Sequence, residues 1–311
     1  MSQKNQAAKR VARERAAAER ARQQQQQRRR RQWITAAIVL VVIAAVVGIG
    51  VAVKASKSSS SAPFAAPNGS VIDQGVNAKT NTSKPTAIAY GSPDAKVTVT
   101  VFEDVRCPFC DIFELGARQV YKKYVDAGEV RVMFHLVKLI DVNDAASGQN
   151  ATGSRTGGSA LACAQQAGMF DAYHDVLYDN QPAETSDPFS DPLALITLAK
   201  KVPGLDTATF ESCVKGVKYG GFVDQNWADF NTLGLQGTPT VIVAGATLTN
   251  TQLFSASSTA GLTANTRSDG QGANTTAIDT AFQAAVTKAY GSATPSPWAS
   301  ASPTPTASAT G

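Results

Sequence analysis

Two cysteines separated by two residues, in Cys107-Pro-Phe-Cys110, have the residue types and the spacing that thiol–disulfide exchange needs. They follow a run typical of a β-strand, from Val97 to Asp104, in which the valines alternate on one face. The residues after them, Asp111 to Ala127, are typical of a helix. The first sulfur is therefore expected at a helix N-terminus, where free N–H groups and the helix macrodipole stabilise a thiolate. The second is expected one turn deeper, close enough to form a disulfide with the first.

The elements around this pair predict an α/β fold. The helix is expected to end at Gly128, and Glu129 to Leu139 has the composition of a second strand. Strand, CxxC, helix and strand in this order are the opening of a thioredoxin fold. A helical insert is predicted over about 159–233, strand character returns at Thr240 to Val243, and Ala277 to Ala289 is predicted to be a closing helix.

Two stretches carry weaker signals. Asp141 to Ser159 is polar and contains glycines, which predicts an irregular connection before the helical insert. Residues 244–273 favour a hairpin or a long loop.

A second motif, Gly237-Thr-Pro-Thr240, leads directly into the strand Thr240 to Val243. Proline is unusual at the start of a core strand, because it removes a hydrogen-bond donor from the ladder. A cis peptide bond before Pro239 explains it, and the resulting bend would bring backbone next to the CxxC helix. The free N–H and C=O groups of Thr238 could then pair with a substrate backbone as an added strand. An ordinary trans-proline turn is the alternative.

Composition divides the chain into five segments. Twenty residues without a charge, Ile34 to Val53, can cross a hydrocarbon core of ~30 Å, and Trp33 lies at their edge. The predicted segments are a basic disordered cytoplasmic tail over 1–32, a transmembrane helix over 33–53, a flexible linker over 54–84, a folded domain over 85–290 and a disordered Ser/Thr/Pro/Ala tail over 291–311.

The charge distribution predicts the topology. Residues 1–32 contain eleven Lys and Arg and two Glu, so the rest of the chain has a net charge of −4 although the whole chain has +5. The positive-inside rule then puts residues 1–32 in the cytoplasm and everything after residue 53 outside. The basic pI is thus a property of the tail and does not indicate nucleic-acid binding. A cleaved signal peptide, with Val53-Lys-Ala55 as the cleavage region, is the alternative to an anchor.

All four cysteines lie on the predicted outer side, and an even number in an oxidising compartment indicates two disulfides with three pairings open. A zinc site built from all four is disfavoured, because structural zinc sites usually supply two close pairs and this chain has one.

Four motifs in order give the chain a resemblance to a known family. It resembles the DsbA-like thiol oxidases, and among them the membrane-anchored actinobacterial type with a helical insert in a thioredoxin fold. The similarity covers about residues 86–245. The motifs are Phe102-Glu-Asp-Val-Arg-Cys-Pro-Phe-Cys110, Gly168-Met-Phe-Asp-Ala-Tyr-His-Asp175, Phe210-Glu-Ser-Cys213 and Leu233-Gly-Leu-Gln-Gly-Thr-Pro-Thr240.

The resemblance implies that Cys107 is the nucleophile and Cys110 the resolving cysteine. It also implies that Pro239 is a cis-proline, and that Cys163 and Cys213 form a second, structural disulfide inside the helical insert. Two features depart from the enteric pattern. Phe109 stands where the enteric oxidase has histidine, and the residue before the cis-proline is Thr238. Because phenylalanine cannot hydrogen-bond a thiolate as histidine can, we expect a weaker oxidant than the enteric enzyme.

Two acids precede the cysteines, and two histidines occur elsewhere. Glu103 or Asp104 could be a buried carboxylate with a raised pKa that relays the Cys110 proton. The alternative is a pair of strand-end acids that face water. His135 and His174 are expected to be packing or surface groups.

The sequence therefore predicts an extracytoplasmic thiol:disulfide oxidoreductase that introduces disulfides into exported proteins, without a bound cofactor or metal. The family resemblance implies reoxidation by a membrane quinone reductase of the vitamin K epoxide reductase type. A disulfide isomerase or reductase is one alternative, although isomerases of this superfamily commonly have a separate dimerisation domain. A non-catalytic thioredoxin-fold binding module is another, although such a module has no need of both Cys107 and Cys110.

Overall fold

The computed structural model describes residues 63–254 and 273–291 of the chain. A six-stranded mixed sheet lies at its centre, in the order β1-β2-β4-β3-β5-β6. Strands β3 and β4 are parallel, and the other neighbouring pairs are antiparallel. The strands are β1 (Ser70–Val71), β2 (Ala87–Tyr90), β3 (Val97–Glu103), β4 (Val130–Leu136), β5 (Thr240–Val243) and β6 (Ala246–Thr247).

Ten α-helices and one short 3₁₀-helix, Pro188–Ser190, occur within the described ranges. The helices are α1 (Gln74–Thr80), α2 (Pro108–Asp126), α3 (Leu139–Ala146), α4 (Gly153–Gln166), α5 (Phe170–Asp179), α6 (Pro192–Ala199), α7 (Ala208–Lys215), α8 (Gly220–Thr232), α9 (Asn250–Leu253) and α10 (Thr275–Tyr290).

The unit β3–α2–β4 forms the strand–helix–strand arrangement that the sequence predicts. After α2 the chain turns at Gly128, whose positive φ of 72° suits glycine, and enters β4. The alternating valines of β3, from Val97 to Val101, are buried in one hydrophobic cluster with Ile112 of α2 and Phe282 of α10. This cluster fixes α2 against the sheet, and with it the two cysteines at its N-terminus.

The predicted helical insert is present but begins earlier than expected. Helices α3 and α4 occupy most of the stretch from 141 to 159, so the prediction of an irregular connection there is wrong. The glycines of α4 serve close packing rather than flexibility: a Cβ on Gly157 would lie 2.6 Å from Val105 Cγ2, and one on Gly158 3.0 Å from Val223 Cγ2. The sequence of this helix is rich in glycine and polar residues, so its local pattern does not predict a helix. The residues that pack against it lie far away in the sequence.

The prediction of a flexible linker over 54–84 is also wrong for residues 63–84, the part of it that the structure describes. Strand β1 pairs with β2 through Ser70 and Ile88, and α1 follows it. Val76 of α1 is buried beside Phe102 and Phe230. Residues 63–84 therefore belong to the folded body, which begins before the predicted boundary at residue 85.

The remaining predictions for the second half of the domain agree with the structure where it is described. Helices α6, α7, α8 and α10 and strand β5 lie where the sequence places them. The stretch 244–273, for which the sequence favours a hairpin or a long loop, contributes only β6 to a hairpin. Its partner is the preceding strand β5, through the pair Val243 and Ala246, and helix α9 follows. Residues 255–272 of that stretch lie outside the described ranges.

Within residues 63–254 and 273–291, none of the helices combines the length and the apolar character that crossing a membrane requires. The predicted basic tail 1–32, the predicted transmembrane helix 33–53 and residues 292–311 of the predicted C-terminal tail lie outside the described ranges.

Candidate active site

Both cysteines of the CxxC pair lie at the start of α2. Cys107 is the N-cap residue and Pro108 takes the first helical position, where its missing N–H costs nothing. Both cysteines are free thiols in the structure, and both are buried. Cys107 nevertheless keeps 4% of its surface exposed, whereas Cys110 has none. Of the two cysteines, the one at the helix N-terminus is therefore the more exposed.

The two thiols differ in acidity. The hydrogen bond with the Cys110 side chain lowers the pKa of Cys107; burial opposes this effect, and Thr238 adds to it. Burial raises the pKa of Cys110 well above its usual value, and the hydrogen bond with Cys107 and the charge of Glu103 act in the same direction. The pair is thus divided into one sulfur that favours the thiolate and one that retains its proton.

The loop before β5 brings a distant part of the chain to this pair. The Thr238–Pro239 peptide bond is cis, as the motif predicts. The thiol of Cys107 donates a hydrogen bond to the carbonyl oxygen of Thr238 at 3.3 Å. Pairing of Phe102 with Thr240 places the first residue of β5 beside the end of β3 and explains why the loop reaches Cys107.

Asp104 is fully buried, so the interpretation of a water-facing acid is wrong for this residue. One carboxylate oxygen accepts a hydrogen bond from the Arg106 N–H and the other from the Ile140 N–H, each at 2.9 Å. The backbone N–H of Asp104 points to Cys110 Sγ at 3.5 Å. Burial raises the pKa of Asp104 to about 7, although the two backbone hydrogen bonds act against this.

Glu103 is fully buried as well, and the water-facing interpretation is wrong here too. It forms an ion pair with His174, whose Nε2 lies 2.8 Å from Glu103 Oε1. His174 is therefore buried, as a packing group would be, but it also pairs with a buried carboxylate. The other histidine, His135, is buried too, and it also has polar partners. It stacks on Phe102, and its ring nitrogens lie 2.9 Å from Asn226 Oδ1 and 3.4 Å from Asp73 Oδ2.

A buried arginine holds the loop before Cys107. Arg106 has 2% of its side chain exposed and contacts three carboxylates, those of Asp141, Asp144 and Asp187, at 3.0, 2.9 and 3.1 Å. Sequence reasoning missed this cluster, because the three acids lie in the stretch predicted to be irregular and in the loop before the 3₁₀-helix.

The side chain of Gln181 secures the same loop from another direction. Its Nε2 donates hydrogen bonds to the carbonyl oxygens of Val105 at 2.9 Å and Cys107 at 3.0 Å. Nothing in the local sequence indicates this role.

Phe109 lies on the outside of the CxxC turn with 38% of its surface exposed. Its ring packs edge-on against Phe254, with ring centroids 5.3 Å apart. The CxxC turn thus presents an exposed aromatic side chain two residues after Cys107, and the Thr238 backbone contacts the Cys107 thiol.

The second pair of cysteines lies away from this site. Cys163 of α4 and Cys213 of α7 form a disulfide, the pairing that the family resemblance implies. It joins two helices of the insert and leaves Cys107 and Cys110 as partners for each other.

Within the described part of the chain, Glu103, Glu114 and His174 are the residues grouped closely enough to hold a metal ion, with ligand atoms within 4.8 Å of one another. Sequence reasoning missed Glu114, although its position four residues after Cys110 places it on the same helix face.

Comparison with known proteins agrees with this geometry. A family model described as thioredoxin matches residues 83–260. A probable disulfide bond formation protein D of Bacillus cereus is 26% identical over 158 residues, which cover 50% of this chain and 69% of the relative. The disulfide bond formation protein D of Bacillus subtilis is 28% identical over 171 residues, which cover 51% and 68%.

Solved structures are also similar. BdbD from Bacillus subtilis in its oxidised form has a TM-score of 0.49 at 19% identity, covering 71% of this chain and 98% of that structure. Reduced DsbA from Mycobacterium tuberculosis has a TM-score of 0.48 at 24% identity, covering 66% and 93%.

Fold, dithiol and relatives together define the class of protein, a DsbA-like thiol:disulfide oxidoreductase. The chain belongs to the thioredoxin family, whose model covers more than half of it.

Proposed function

We propose that this oxidoreductase introduces disulfide bonds into exported proteins, with Cys107 and Cys110 as its redox-active pair. The observation that carries the proposal is the position of the pair at the start of α2, with Cys107 as the N-cap residue and its thiol 3.3 Å from the Thr238 carbonyl oxygen beside the cis bond. In this arrangement the pKa is lowered for Cys107 and raised for Cys110. A stabilised Cys107 thiolate is a good leaving group and favours the reduced enzyme. An enzyme whose reduced form is favoured oxidises its substrates.

The reaction then proceeds in two exchanges. A substrate thiolate attacks the Cys107 sulfur of the oxidised enzyme, the Cys107–Cys110 bond breaks, and a mixed disulfide forms on Cys107. A second substrate thiolate attacks the substrate sulfur of that mixed disulfide, and Cys107 leaves as a thiolate. The substrate gains a disulfide, and the enzyme keeps two electrons as the dithiol.

The surroundings of Cys107 support this role. The backbone of Thr238, next to the cis bond, offers an edge on which an extended substrate segment can pair as an added strand. The exposed ring of Phe109 offers an apolar surface beside the same sulfur. Both features favour unfolded polypeptides as substrates.

We also propose that the enzyme works outside the cytoplasm, anchored by the uncharged segment 33–53 with its N-terminus in the cytoplasm. The supporting observation is the concentration of eleven Lys and Arg in residues 1–32, on one side of that segment. Reoxidation by a membrane quinone reductase of the vitamin K epoxide reductase type completes the cycle. A phosphatase fused to the C-terminus, active only after export, tests the topology: an inactive fusion contradicts it.

The reduction potential of the detergent-solubilised chain, equilibrated with glutathione buffers, tests the direction of the reaction. A value near ~−120 mV, as for DsbA, supports the oxidase. A value near ~−180 mV, as for protein disulfide isomerase, favours an isomerase. A value near ~−270 mV, as for thioredoxin, favours a reductase and contradicts the proposal.

A further inference from the structure

The loop that carries Cys107 has to be held by groups from other parts of the chain. Residues 104–107 lie between β3, which ends at Glu103, and α2, which begins at Pro108, so they take no part in a sheet ladder. Val105 and Cys107 are buried, and a buried carbonyl group without a hydrogen-bond partner costs free energy. The carbonyl oxygens of this loop therefore need donors, and those donors decide how Cys107 is held.

One side chain of the helical insert serves two of these carbonyl groups. Gln181 follows α5 and is 8% exposed. Its Nε2 atom donates to the carbonyl oxygens of Val105 at 2.9 Å and Cys107 at 3.0 Å, which uses both N–H groups of the amide. The backbone N–H of Gln181 donates to the Tyr178 carbonyl oxygen at 3.2 Å, so the residue is itself tied to the end of α5.

The same two segments are joined a second time in the opposite direction. Arg106, the residue before Cys107, donates from Nη2 to the Glu184 carbonyl oxygen at 3.3 Å, and its Nε lies 3.1 Å from Asp187 Oδ1. The segment 181–187 thus donates to the loop that carries the cysteine and also accepts from it. Because the loop is held in both directions, Cys107 cannot shift without breaking contacts with the insert.

The carbonyl group of Cys107 links these contacts to the sulfur. Its oxygen also accepts the N–H of Asp111 at 3.1 Å, the first hydrogen bond of α2. Gln181 therefore holds the N-cap residue where the helix N-terminus can stabilise a thiolate, with the thiol 3.3 Å from the Thr238 carbonyl oxygen. The amide N–H also offsets the partial negative charge of the carbonyl oxygen that belongs to the same residue as the sulfur, and fixed dipoles of this kind are most effective in a buried site.

The charges nearby explain why a neutral donor suits this place. Three carboxylates, those of Asp141, Asp144 and Asp187, already surround Arg106. A further acid at position 181 would add negative charge beside the loop, and as a carboxylate it could not donate to a carbonyl oxygen. The amide of Gln181 donates without adding charge of either sign.

We propose, resting on the oxidoreductase function above, that Gln181 is a positioning residue for the exchange at Cys107. Its amide holds the Val105 and Cys107 carbonyl groups, and through them it keeps the sulfur at the start of α2 and beside Thr238. This placement favours the Cys107 thiolate, and therefore the dithiol form over the disulfide. Gln181 acts through the backbone of Cys107, so bonds and electrons move between sulfur atoms as in the two exchanges above.

The replacement Q181M tests this role, because methionine is also unbranched and of similar length but has no hydrogen-bond donor in its side chain. We expect the Cys107 pKa, measured by thiolate absorbance in the detergent-solubilised full chain, to rise by about one unit, the scale of a lost hydrogen bond. At a pH above the pKa of both proteins, a thiolate that is tenfold less favoured lowers the reduction potential by about 30 mV. The potential falls because the lost contact stabilises the reduced form.

A second replacement, Q181E, separates the hydrogen-bond donor from the shape of the side chain. The carboxylate has the shape of the amide, but it cannot donate and it adds a negative charge. The Cys107 pKa should therefore rise further in Q181E than in Q181M. A side chain that only fills space predicts the same pKa in the wild type and in Q181E, so the order of the three values distinguishes the two roles.

The matched control is Q165M. Gln165 of α4 also donates from Nε2 to a backbone carbonyl oxygen, that of Asn68 at 3.2 Å, but this partner lies in the stretch before β1 and not in the loop 104–107. We expect the Cys107 pKa and the reduction potential of Q165M to equal those of the wild type. Urea unfolding measures the stability that each variant loses, so a redox shift confined to position 181 is not a general effect of losing a hydrogen bond in the insert.

The proposal is overturned if Q181M and Q181E keep the wild-type pKa and potential, or if Q165M shifts both as far as Q181M does. If one variant at position 181 does not fold, the other decides. This outcome is separable from that of the proposed function. A wild-type potential near ~−270 mV would contradict the oxidase, and the difference between Q181M and the wild type would still report the role of Gln181. Unchanged potentials in the variants would leave the oxidase standing.

Discussion

The Cys107 thiol and the Thr238 carbonyl oxygen lie 3.3 Å apart, although 131 positions of sequence separate the two residues. The contact exists because β5 pairs antiparallel with β3, which brings the residues before Thr240 to the strand end from which the cysteines follow. The reactive sulfur and the backbone edge beside it are thus fixed by the same sheet. In the proposed function, substrate binding and exchange chemistry share one surface.

Replacing the accessible sulfur should abolish turnover and spare binding. We expect C107A to lose all measurable oxidation of a dithiol peptide, because Cys110 is fully buried and cannot take over as nucleophile. C110A keeps Cys107, and when it is mixed with a disulfide-bonded peptide its thiolate should attack the peptide disulfide, release one peptide thiol and accumulate as a mixed disulfide, which mass spectrometry detects. Residual turnover by C107A would mean that another group carries the reaction.

The residue at position 109 should tune the strength of the oxidant. In F109H the imidazole can hydrogen-bond the Cys107 thiolate, which the phenylalanine ring cannot do. We expect a fall of about one unit in the Cys107 pKa, equivalent to about 1.36 kcal/mol, and a rise of about 30 mV in reduction potential.

The control for this change is F109L, which removes the aromatic contact with Phe254 without adding a hydrogen-bonding group. If the Cys107 pKa falls equally in F109L, the cause is the lost packing contact and not a hydrogen bond to the thiolate. Thiolate absorbance measures the Cys107 pKa, and equilibration with glutathione measures the reduction potential of the same samples.

The stability of the reduced protein should fall as the pH rises from about 5 to 8. Burial raises the pKa of Glu114 from 4.5 to about 8, so between these values the folded chain holds a proton that the unfolded chain has released. The contribution is fully present below 4.5 and is lost as the pH rises through 8, at about 1.36 kcal/mol per pH unit. His174, raised from 6.5 to about 9, adds a slope of the same sign at higher pH.

Urea unfolding over a pH series measures this slope, and E114Q should reduce it between pH 5 and 8 by about the amount of one proton. E211Q is the control, because Glu211 pairs with Lys215 at the surface of α7. A wild-type slope in E114Q would show that Glu114 does not titrate in this range.

The disulfide within the insert should contribute to stability rather than to exchange. Cys163 and Cys213 are 50 positions apart, and the loop-entropy relation gives such a crosslink about 4 kcal/mol. We expect C163A/C213A to lose up to that free energy of unfolding while its reduction potential stays unchanged. Stability is best measured in a C107A/C110A background, where the redox-active pair cannot interfere. A large change in the potential would contradict a purely structural role.

Much of the active site could be predicted because its signals are local. Cys107 and Cys110 are recognisable from their spacing and from the strand and helix on either side, since side-chain periodicity is a property of neighbouring residues. The cis bond before Pro239 follows from a proline at the entrance to a strand. These patterns indicate the chemistry that is proposed for the chain.

The tertiary structure decided the rest, because burial depends on residues that are distant in sequence. Helix α4 was not predicted, because its glycines are not typical of a helix. Only its close packing against Val105 and Val223 explains why glycine stands there. The acids at 103 and 104 have the composition of a solvent-facing strand end, and only their partners show that they are buried. His174 lies 71 positions from Glu103 and meets it because α5 packs against α2 and brings the His174 ring against Phe134 of β4. The sequence thus determined the two cysteines and their place at the start of a helix, and the fold determined which ionisable groups are buried around them.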